Sequence, residues 1–211
     1  MREYNKIKAI FNRTEDGTKK FIEGDFRDTE FEFLKDNVWQ FTEKIDGTNI
    51  RIHWDGHKVE FGGRTDKAEI PAFLMERLVE IFGSNEAEEL FEQKFGEHEV
   101  ILFGEGYGKK IQAPGSLYLP DGNDFILFDV LIGENYQPRE SVEDIAKAFG
   151  IDCVPILFEG NLQQGVDFVK SKPMSTIGKA PMEGVVARPK IELRDRCGGR
   201  IIVKIKVEDF K

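Results

Sequence analysis

Residues 38–62 read VWQFTEKIDGTNIRIHWDGHKVEFG, a stretch that contains three strand signals and two Asp-Gly turn signals. Within residues 49–54 apolar and polar side chains alternate, which is the period of a strand with one buried face. An Asp-Gly pair follows, and this dipeptide predicts a hairpin turn into a second strand at residues 57–61. A further strand is predicted at residues 38–43.

The rest of the chain mixes further strands with helices. Strands are predicted at residues 100–103, 125–131, 184–187 and 200–207. Helices are predicted at residues 71–82, 141–149 and 161–171, and Ser141 is expected to cap the second of them. Because strands and helices do not alternate regularly, as they would in a parallel βαβ fold, we expect an α+β fold with antiparallel sheets flanked by helices.

The composition indicates a globular chain of 211 residues with a formal net charge of −9. Its hydrophobic content of 40%, with 18 Phe, excludes extensive disorder. No apolar run approaches the roughly 20 residues of a membrane span, and the acidic balance excludes general coating of nucleic acid. The two cysteines are too few for a disulfide framework or a zinc site, which favours a cytoplasmic location. His53, His57 and His98 lie in no motif and receive no role.

Lys44 opens the hexapeptide KIDGTN at residues 44–49, between two predicted strands. An unprotonated lysine amine can attack phosphorus, and covalent catalysis of this kind divides one difficult displacement into easier steps. Gly47 would let the backbone turn tightly beside a ligand. Taken alone, the hexapeptide fits a solvated lysine in a turn better than a catalytic one, because such short strings also occur by chance.

Four later segments bring carboxylates, an aromatic residue and two lysines in a fixed order. They are FGEGYG at 103–108, FILFDV at 125–130, EGVVAR at 183–188 and IIVKIKV at 201–207. In the last segment Lys204 and Lys206 share one strand face, whereas the residues between and beside them point to the core. Two neighbouring lysines on one face repel each other unless an anion lies between them, and phosphate is the natural anion.

In this order and spacing the segments resemble the motifs of the covalent nucleotidyltransferase superfamily, which contains ATP-dependent RNA and DNA ligases and mRNA capping enzymes. The chain is most similar to RNA ligases of the bacteriophage T4 RNA ligase 2 type. Asn49 stands where DNA ligases and capping enzymes usually carry Arg, and the run GEGYGKKIQ at 104–112 is RNA-ligase-like. The resemblance spans residues 38–207 and implies a ligase-type nucleotidyltransferase (adenylation) domain with an ATP-grasp-like pocket formed by two sheets. It also implies an enzyme that joins RNA 3′-hydroxyl and 5′-phosphate ends through a lysyl-AMP intermediate and an adenylated 5′ end.

The resemblance implies a role for each matching residue. Lys44 would attack the α-phosphorus of ATP and carry AMP, and Glu183 would bind Mg²⁺ or Mn²⁺. The other nucleotide-binding residues would be Glu43 and Ile45 through their backbone at adenine, Phe128 by stacking on adenine, Glu105 at the ribose, Asn49 and Arg64 on the ribose and phosphate side, and Lys204 and Lys206 at the α-phosphate. Phe128 has an alternative interpretation as ordinary core, since Phe103 and Phe125 compete for the stacking role.

A cationic strip lies in residues 188–206, where seven basic and two acidic residues give a local charge of +5. We expect this strip, through Arg188, Arg194 and Arg196, to contact the phosphate backbone of nucleic acid.

Ligases of this superfamily usually carry an OB-fold or helical domain after the last motif, and none is apparent in this sequence. We therefore expect one nucleotidyltransferase domain over residues 1–211, which is either a compact enzyme, as in a viral protein in its host's cytoplasm, or depends on an accessory protein for the missing surface. The alternatives are a DNA ligase, a capping guanylyltransferase or, in a different class, a catalytically inactive nucleotide-binding module. Asn49 and residues 104–112 argue against the first two, and no motif is broken as the third would require.

Overall fold

The computed structural model describes residues 1–16, 18 and 20–210. It has the expected α+β architecture of largely antiparallel sheets and flanking helices. The chain forms two compact units: unit 1 comprises Met1–Asn5 and Asp46–Val154, and unit 2 comprises Lys6–Ile45 and Pro155–Lys211. It therefore passes from unit 2 to unit 1 inside the KIDGTN segment. The expectation of one nucleotidyltransferase domain stays a prediction.

Strands and short helices are interspersed along the chain. The strands are β1 (Lys8–Ala9), β2 (Phe11–Arg13), β3 (Phe21–Phe26), β4 (Trp39–Lys44), β5 (Thr48–Trp54), β6 (Val59–Gly62), β7 (Val100–Gly108), β8 (Asn123–Ile132), β9 (Asn135–Tyr136), β10 (Asp152–Cys153), β11 (Ile156–Gly160), β12 (Gly184–Pro189) and β13 (Val203–Lys206). The helices are α1 (Thr29–Phe33), α2 (Ala72–Phe82), α3 (Asn85–Phe95), α4 (Gly115–Tyr118), α5 (Arg139–Ala148) and α6 (Leu162–Lys170), and a 3₁₀ helix spans Val207–Phe210. None of the helices in the described part of the chain combines the length and the apolar character required to cross a bilayer.

The sheet of unit 1 has the strand order β10–β8–β7–β5–β6, with β9 paired to β8. Its neighbouring strands are antiparallel except β10, which runs parallel to β8. The apolar residues of β5, such as Trp54, form one core with Leu78 of α2, Phe91 of α3 and Val142 of α5. Because side chains alternate along a strand, the polar residues of β5 lie on the opposite face of this sheet.

The sheet of unit 2 has the strand order β1–β13–β12–β4–β11, in which only the pair β1 and β13 is parallel. Helix α6 contributes Val166 and Val169 to the same core as Trp39 and Phe41 of β4. A Cβ atom at Gly165 of α6 would lie 2.1 Å from the Phe41 ring. Gly165, a residue type that is unfavourable inside a helix, therefore lets α6 approach β4 closely.

The predicted hairpin at residues 49–61 is confirmed as β5 and β6. Its second strand begins at Val59, two residues later than predicted, because the turn includes His57 and Lys58 as well as the Asp-Gly pair. Asp55 Oδ1 accepts hydrogen bonds from the backbone N–H groups of His57 and Lys58. These bonds hold both residues in the turn.

Other predicted elements differ in their limits, and the strand predicted at 100–103 extends to Gly108. The second predicted helix begins at Arg139 after Pro138, so Ser141 lies inside the helix and the predicted cap is wrong. Arg139 stabilises the added turn by pairing with Glu143 at 2.6 Å. The strand predicted at 200–207 is confirmed over its central part, Val203–Lys206.

Candidate functional site

Three lysines of unit 2 share one face of its sheet, which we call the lysine face: Lys44 of β4, and Lys204 and Lys206 of β13. Lys44 lies opposite Gly184 of β12, and Gly184 lies opposite Lys206. The residues that alternate with the lysines are buried in the core on the α6 side, so the prediction that Lys204 and Lys206 share a strand face is confirmed. A Cβ atom at Gly184 would lie 2.2 Å from the backbone oxygen of Ile205, so only glycine fits between Lys44 and Lys206.

Glu183 bridges two residues of the lysine face. Its Oε2 atom lies 2.6 Å from Nζ of Lys44, and its Oε1 atom lies 2.8 Å from Nζ of Lys206. Only 14% of the Glu183 side chain is exposed, so salt screens these ion pairs less than it would at the surface. Lys206 also pairs with Glu208 at 2.7 Å. The structure thus brings together the residues expected to serve as nucleophile, metal ligand and phosphate ligand.

The two lysines of β13 titrate differently. Burial and the positive charges of Lys44 and Lys206 lower the pKa of Lys204. Burial also acts to lower the pKa of Lys206, but its hydrogen bonds and ion pairs with Glu183 and Glu208 outweigh that effect and raise the pKa above its ordinary value. An anion beside Lys204 would relieve the repulsion among the three cations, and a phosphate group of a nucleotide is such an anion.

Glu43 and Ile45 flank Lys44, and both are buried. The backbone N–H of Glu43 donates to the carbonyl oxygen of Pro155 at 3.3 Å. The side chain of Glu43 accepts hydrogen bonds from Ser175 and Thr176. The role of the Glu43 and Ile45 backbone groups at adenine stays a prediction.

The turn after Ile45 belongs to unit 1 and is held by the segment that follows β7. The backbone N–H of Asp46 donates to the hydroxyl of Tyr118 at 3.2 Å, and the side-chain amide of Gln112 donates to the backbone oxygen of Gly47 at 3.0 Å. A Cβ atom at Gly47 would lie 2.3 Å from the backbone oxygen of Gly106. The close approach of β7 therefore requires glycine at this turn, whatever ligand lies beside it.

Asn49 and Glu105 face each other on neighbouring strands of unit 1, β5 and β7. Asn49 Oδ1 is buried and accepts no hydrogen bond from any residue that the structure describes. The glycines on either side of Glu105 serve the core: a Cβ atom at Gly104 would lie 2.2 Å from the Phe125 ring, and one at Gly106 would lie 2.5 Å from a leucine of α2. This packing leaves Glu105 on the face opposite the helices, next to Asn49.

Phe128 forms a β-bulge, because the pairing of β7 with β8 shifts by one residue there. Its ring packs edge-on against Tyr4, with 5.1 Å between the ring centroids. Phe103 and Phe125, which competed with it for the stacking role, are 0% and 1% exposed, whereas Phe128 is only partly buried. Of these three phenylalanines, only Phe128 keeps an exposed surface, and its stacking on adenine stays a prediction.

Arg64 is exposed in the turn after β6, whereas Arg51 on β5 is fully buried. The Arg51 guanidinium donates to the backbone oxygens of Gly63 at 2.7 Å and Met1 at 2.9 Å, and to Asp66 at 2.9 Å. Arg51 therefore fixes the loop that carries Arg64. The sequence analysis missed it, since the alternating pattern shows only that Arg51 faces away from the main core.

The cationic strip is partly neutralised in the folded chain. Arg200 makes a two-point ion pair with Glu192, at 3.1 and 3.0 Å. Arg194 and Arg196 are exposed around a turn whose backbone N–H groups bond to Asp195. Arg188 lies on β12 and is half-buried. Contact of Arg188, Arg194 and Arg196 with nucleic acid stays a prediction.

The donor set fits a metal ion held mainly through a nucleotide. No group of three or more His, Cys, Asp or Glu side chains with metal-binding geometry occurs among the residues that the structure describes. Mg²⁺ and similar cations keep several waters and take one or two carboxylates together with substrate phosphates. Glu183, beside the phosphate-attracting lysines, offers such a carboxylate.

Comparisons with known proteins identify the fold and the family. The family model for RNA ligases matches residues 37–206. A solved structure of a Naegleria gruberi RNA ligase variant with ATP and Mn is 20% identical to the chain, with a TM-score of 0.65, and the match covers 86% of this chain and 53% of that one. A second such variant with ATP and Mn is 18% identical, with a TM-score of 0.67, and the match covers 98% of this chain and 56% of that one.

The chain thus spans about half the length of these structural relatives, and the likeness confirms the predicted fold class. A search among curated protein sequences finds no significant match. The family model, by contrast, covers most of the chain from just before β4 to the end of β13. The chain therefore belongs to the RNA ligase family.

Proposed function

We propose that the chain is an ATP-dependent RNA ligase of the bacteriophage T4 RNA ligase 2 type, which joins RNA 3′-hydroxyl and 5′-phosphate ends. The observation that carries this proposal is the lysine face, where Lys44 lies among two further cations and one bridging carboxylate. Membership of the RNA ligase family supports RNA as the substrate. The Naegleria gruberi structures with ATP, AMP, pyrophosphate and Mn support ATP as the nucleotide substrate and a divalent cation as the cofactor.

In the first step, Nζ of Lys44 forms a bond to the α-phosphorus of ATP, the bond to the pyrophosphate oxygen breaks, and the amine loses its proton. The Lys44 ammonium must give up a proton, to Glu183 or to water, before this attack, because an ammonium has no lone pair, and its ion pair with Glu183 is lost with that proton. Lys204 and Lys206 would neutralise the charge that develops on the phosphate oxygens. Transfer of AMP to the RNA 5′-phosphate and attack by the 3′-hydroxyl, which releases AMP, would complete the joining.

Glu183 would hold Mg²⁺ or Mn²⁺, together with phosphate oxygens and water. A bound cation would supply positive charge at the phosphates. Glu183, as its ligand, would then no longer be available to pair with Lys44. Glu183 would therefore serve as the counter-ion of the nucleophile in the free protein and as the metal ligand during the reaction.

The remaining roles follow the same proposal. Asn49 and Glu105, which face each other across β5 and β7, would bind the ribose, and Phe128 would stack on adenine with its exposed part. Arg64 would contact phosphate. The strip with Arg188, Arg194 and Arg196 would contact RNA, and the accessory protein stays a prediction that the comparisons do not support.

Incubation with α-labelled ATP or GTP and Mg²⁺ or Mn²⁺, followed by denaturing electrophoresis, tests the proposal. We expect label to remain on the protein with ATP and not with GTP. Lys44→Ala should abolish the labelling, while Lys94→Ala, which removes an exposed lysine of α3, should not. Labelling from GTP alone would indicate a capping enzyme, and no labelling from either nucleotide would exclude the ligase chemistry.

A further inference from the structure

Glu43 is a buried carboxylate whose hydrogen bonds come from a single short segment. Its side chain accepts a bond from the hydroxyl of Ser175 at one oxygen, and from the backbone N–H (2.9 Å) and the hydroxyl of Thr176 at the other. Only 2% of Glu43 is exposed, and no cation of the described residues lies within ion-pair distance of it. A buried charge in this position is stable only while its hydrogen bonds are made.

The segment that bonds to Glu43 is a hairpin at residues 173–182. Ser175 N–H donates to the oxygen of Ala180 at 2.9 Å, and Met182 N–H donates to the oxygen of Pro173 at 3.1 Å. The Ser175 hydroxyl also accepts from the N–H of Ile177 at 2.9 Å, which orients its own hydrogen towards Glu43. The hairpin is thereby closed at its base and attached to β4 through Glu43.

The hairpin leads directly into Glu183. Met182, its last residue, is buried in the core of unit 2, and Glu183 follows it just before β12. Glu43 lies opposite Val185 of β12, one residue pair from the position where Lys44 lies opposite Gly184. Glu43, which precedes Lys44 in the sequence, therefore holds the segment that leads into Glu183. Glu183 in turn pairs with Lys44.

We propose that the side chain of Glu43 is a positioning residue, which fixes the hairpin 173–182 and through it places Glu183 against Lys44. This inference rests on the proposed roles of Lys44 and Glu183, and it is separate from the role of the Glu43 backbone at adenine. It assigns Ser175 and Thr176 the function of holding the Glu43 carboxylate.

Two measurements on Glu43→Gln test the proposal, because glutamine keeps the size of the side chain but presents an N–H₂ group to donors. The first is trypsin cleavage after Lys179, which is exposed in the hairpin; cleavage after Lys172 is blocked by Pro173. The second is the rate of lysyl-AMP formation over a range of ATP concentrations. Glu159→Gln makes the same chemical change at an exposed site of β11 and serves as the control.

We expect Glu43→Gln to speed cleavage after Lys179 and to lower the rate at saturating ATP by roughly 10- to 100-fold, with little change in KM. Ser175→Ala should shift both measurements in the same direction by less, which keeps the test valid if Glu43→Gln does not fold.

Two results would overturn the inference: cleavage after Lys179 at the wild-type rate, or an effect of Glu43→Gln on KM alone. If the wild-type protein formed no lysyl-AMP, the proposed function would fail. The cleavage assay would still decide whether Glu43 holds the hairpin.

Discussion

Replacement of Arg51 by methionine should destabilise unit 1, although an arginine in an alternating strand pattern normally faces water. The side chain is 0% exposed, and it donates to Gly63, Met1 and Asp66. Methionine has a similar length and fills most of the space, so the cavity contribution is small. The loss comes from the acceptors that are left behind.

The magnitude follows from the surroundings of each acceptor. The backbone oxygen of Gly63 is buried, and an unsatisfied buried acceptor costs about 1–3 kcal/mol. Asp66 is 66% exposed and can turn to water, as can the Met1 oxygen, so together they add about 1 kcal/mol. Arg51→Met should therefore lower the free energy of unfolding by about 2–4 kcal/mol, which for a chain of this size corresponds to a Tm lower by about 4–16 °C.

Thermal unfolding followed by circular dichroism measures this effect, and Arg64→Met provides the matched control. Arg64 lies exposed in the loop that Arg51 holds, so the same substitution there should change stability by less than about 0.5 kcal/mol. Arg64→Met should instead reduce lysyl-AMP formation if the proposed phosphate contact exists. Equal Tm values for Arg51→Met and the wild type, or equal losses for both variants, would refute the assigned role of Arg51.

Three further variants and one control test the lysine face and the strip. Glu183→Gln should abolish adenylylation throughout a Mn²⁺ titration, whereas Glu208→Gln, which changes a carboxylate that is 62% exposed, should retain most activity; near-normal rates for Glu183→Gln would give that residue a structural role. Lys204→Met should raise the Tm at pH 7, because the lowered pKa of Lys204 means that its charge destabilises the folded state below that pKa. That gain should shrink as the pH rises towards the ordinary lysine pKa, and a Tm difference independent of pH would contradict it. Joint replacement of Arg194 and Arg196 by glutamine should weaken RNA sealing and flatten its dependence on log salt by roughly one to two units of slope, while a parallel loss of adenylylation would remove the strip from the RNA surface.

The features that the sequence predicted correctly depend on local periodicity. Alternation along residues 49–54 and 201–207 predicted both strands and the shared face of Lys204 and Lys206, because the direction of a side chain in a strand follows from its neighbours. The proximity of Glu183 to Lys44 has a different basis, since it depends on the direct pairing of β4 with β12 and was suggested only by the resemblance to the nucleotidyltransferase motifs. The strand predictions, by contrast, need no knowledge of the tertiary contacts.

The features that the sequence did not predict depend on contacts far along the chain. Arg51 can be buried because the backbone oxygens of Met1 and Gly63 accept its hydrogen bonds. The residues next to Arg51 in the sequence give no indication of these distant acceptors. Gly104 is required by the Phe125 ring, 21 positions later, rather than by a ligand. The cap expected at Ser141 failed for a similar reason, since Arg139 gains a hydrogen bond to the oxygen of Val154 that extends the helix by a further part of a turn.

The charge of Lys204 lowers the stability of the free protein and therefore indicates what the lysine face is built to bind. Lys44 and Lys206 pair with Glu183, and Lys206 also pairs with Glu208, so the destabilising charge is that of Lys204, whose lowered pKa shows that the fold tolerates this charge at a cost. A polyanion bound there would reverse the sign of that contribution, because the same charge would then attract. A ligand that binds only the folded state raises its stability by an amount set by its affinity. AMP, which carries the α-phosphate, should therefore raise the Tm of the wild type more than that of Lys204→Met, even though the variant starts from the higher value. If AMP stabilised both proteins equally, Lys204 would not contact the α-phosphate, and its repulsion would have to be explained by something other than nucleotide binding.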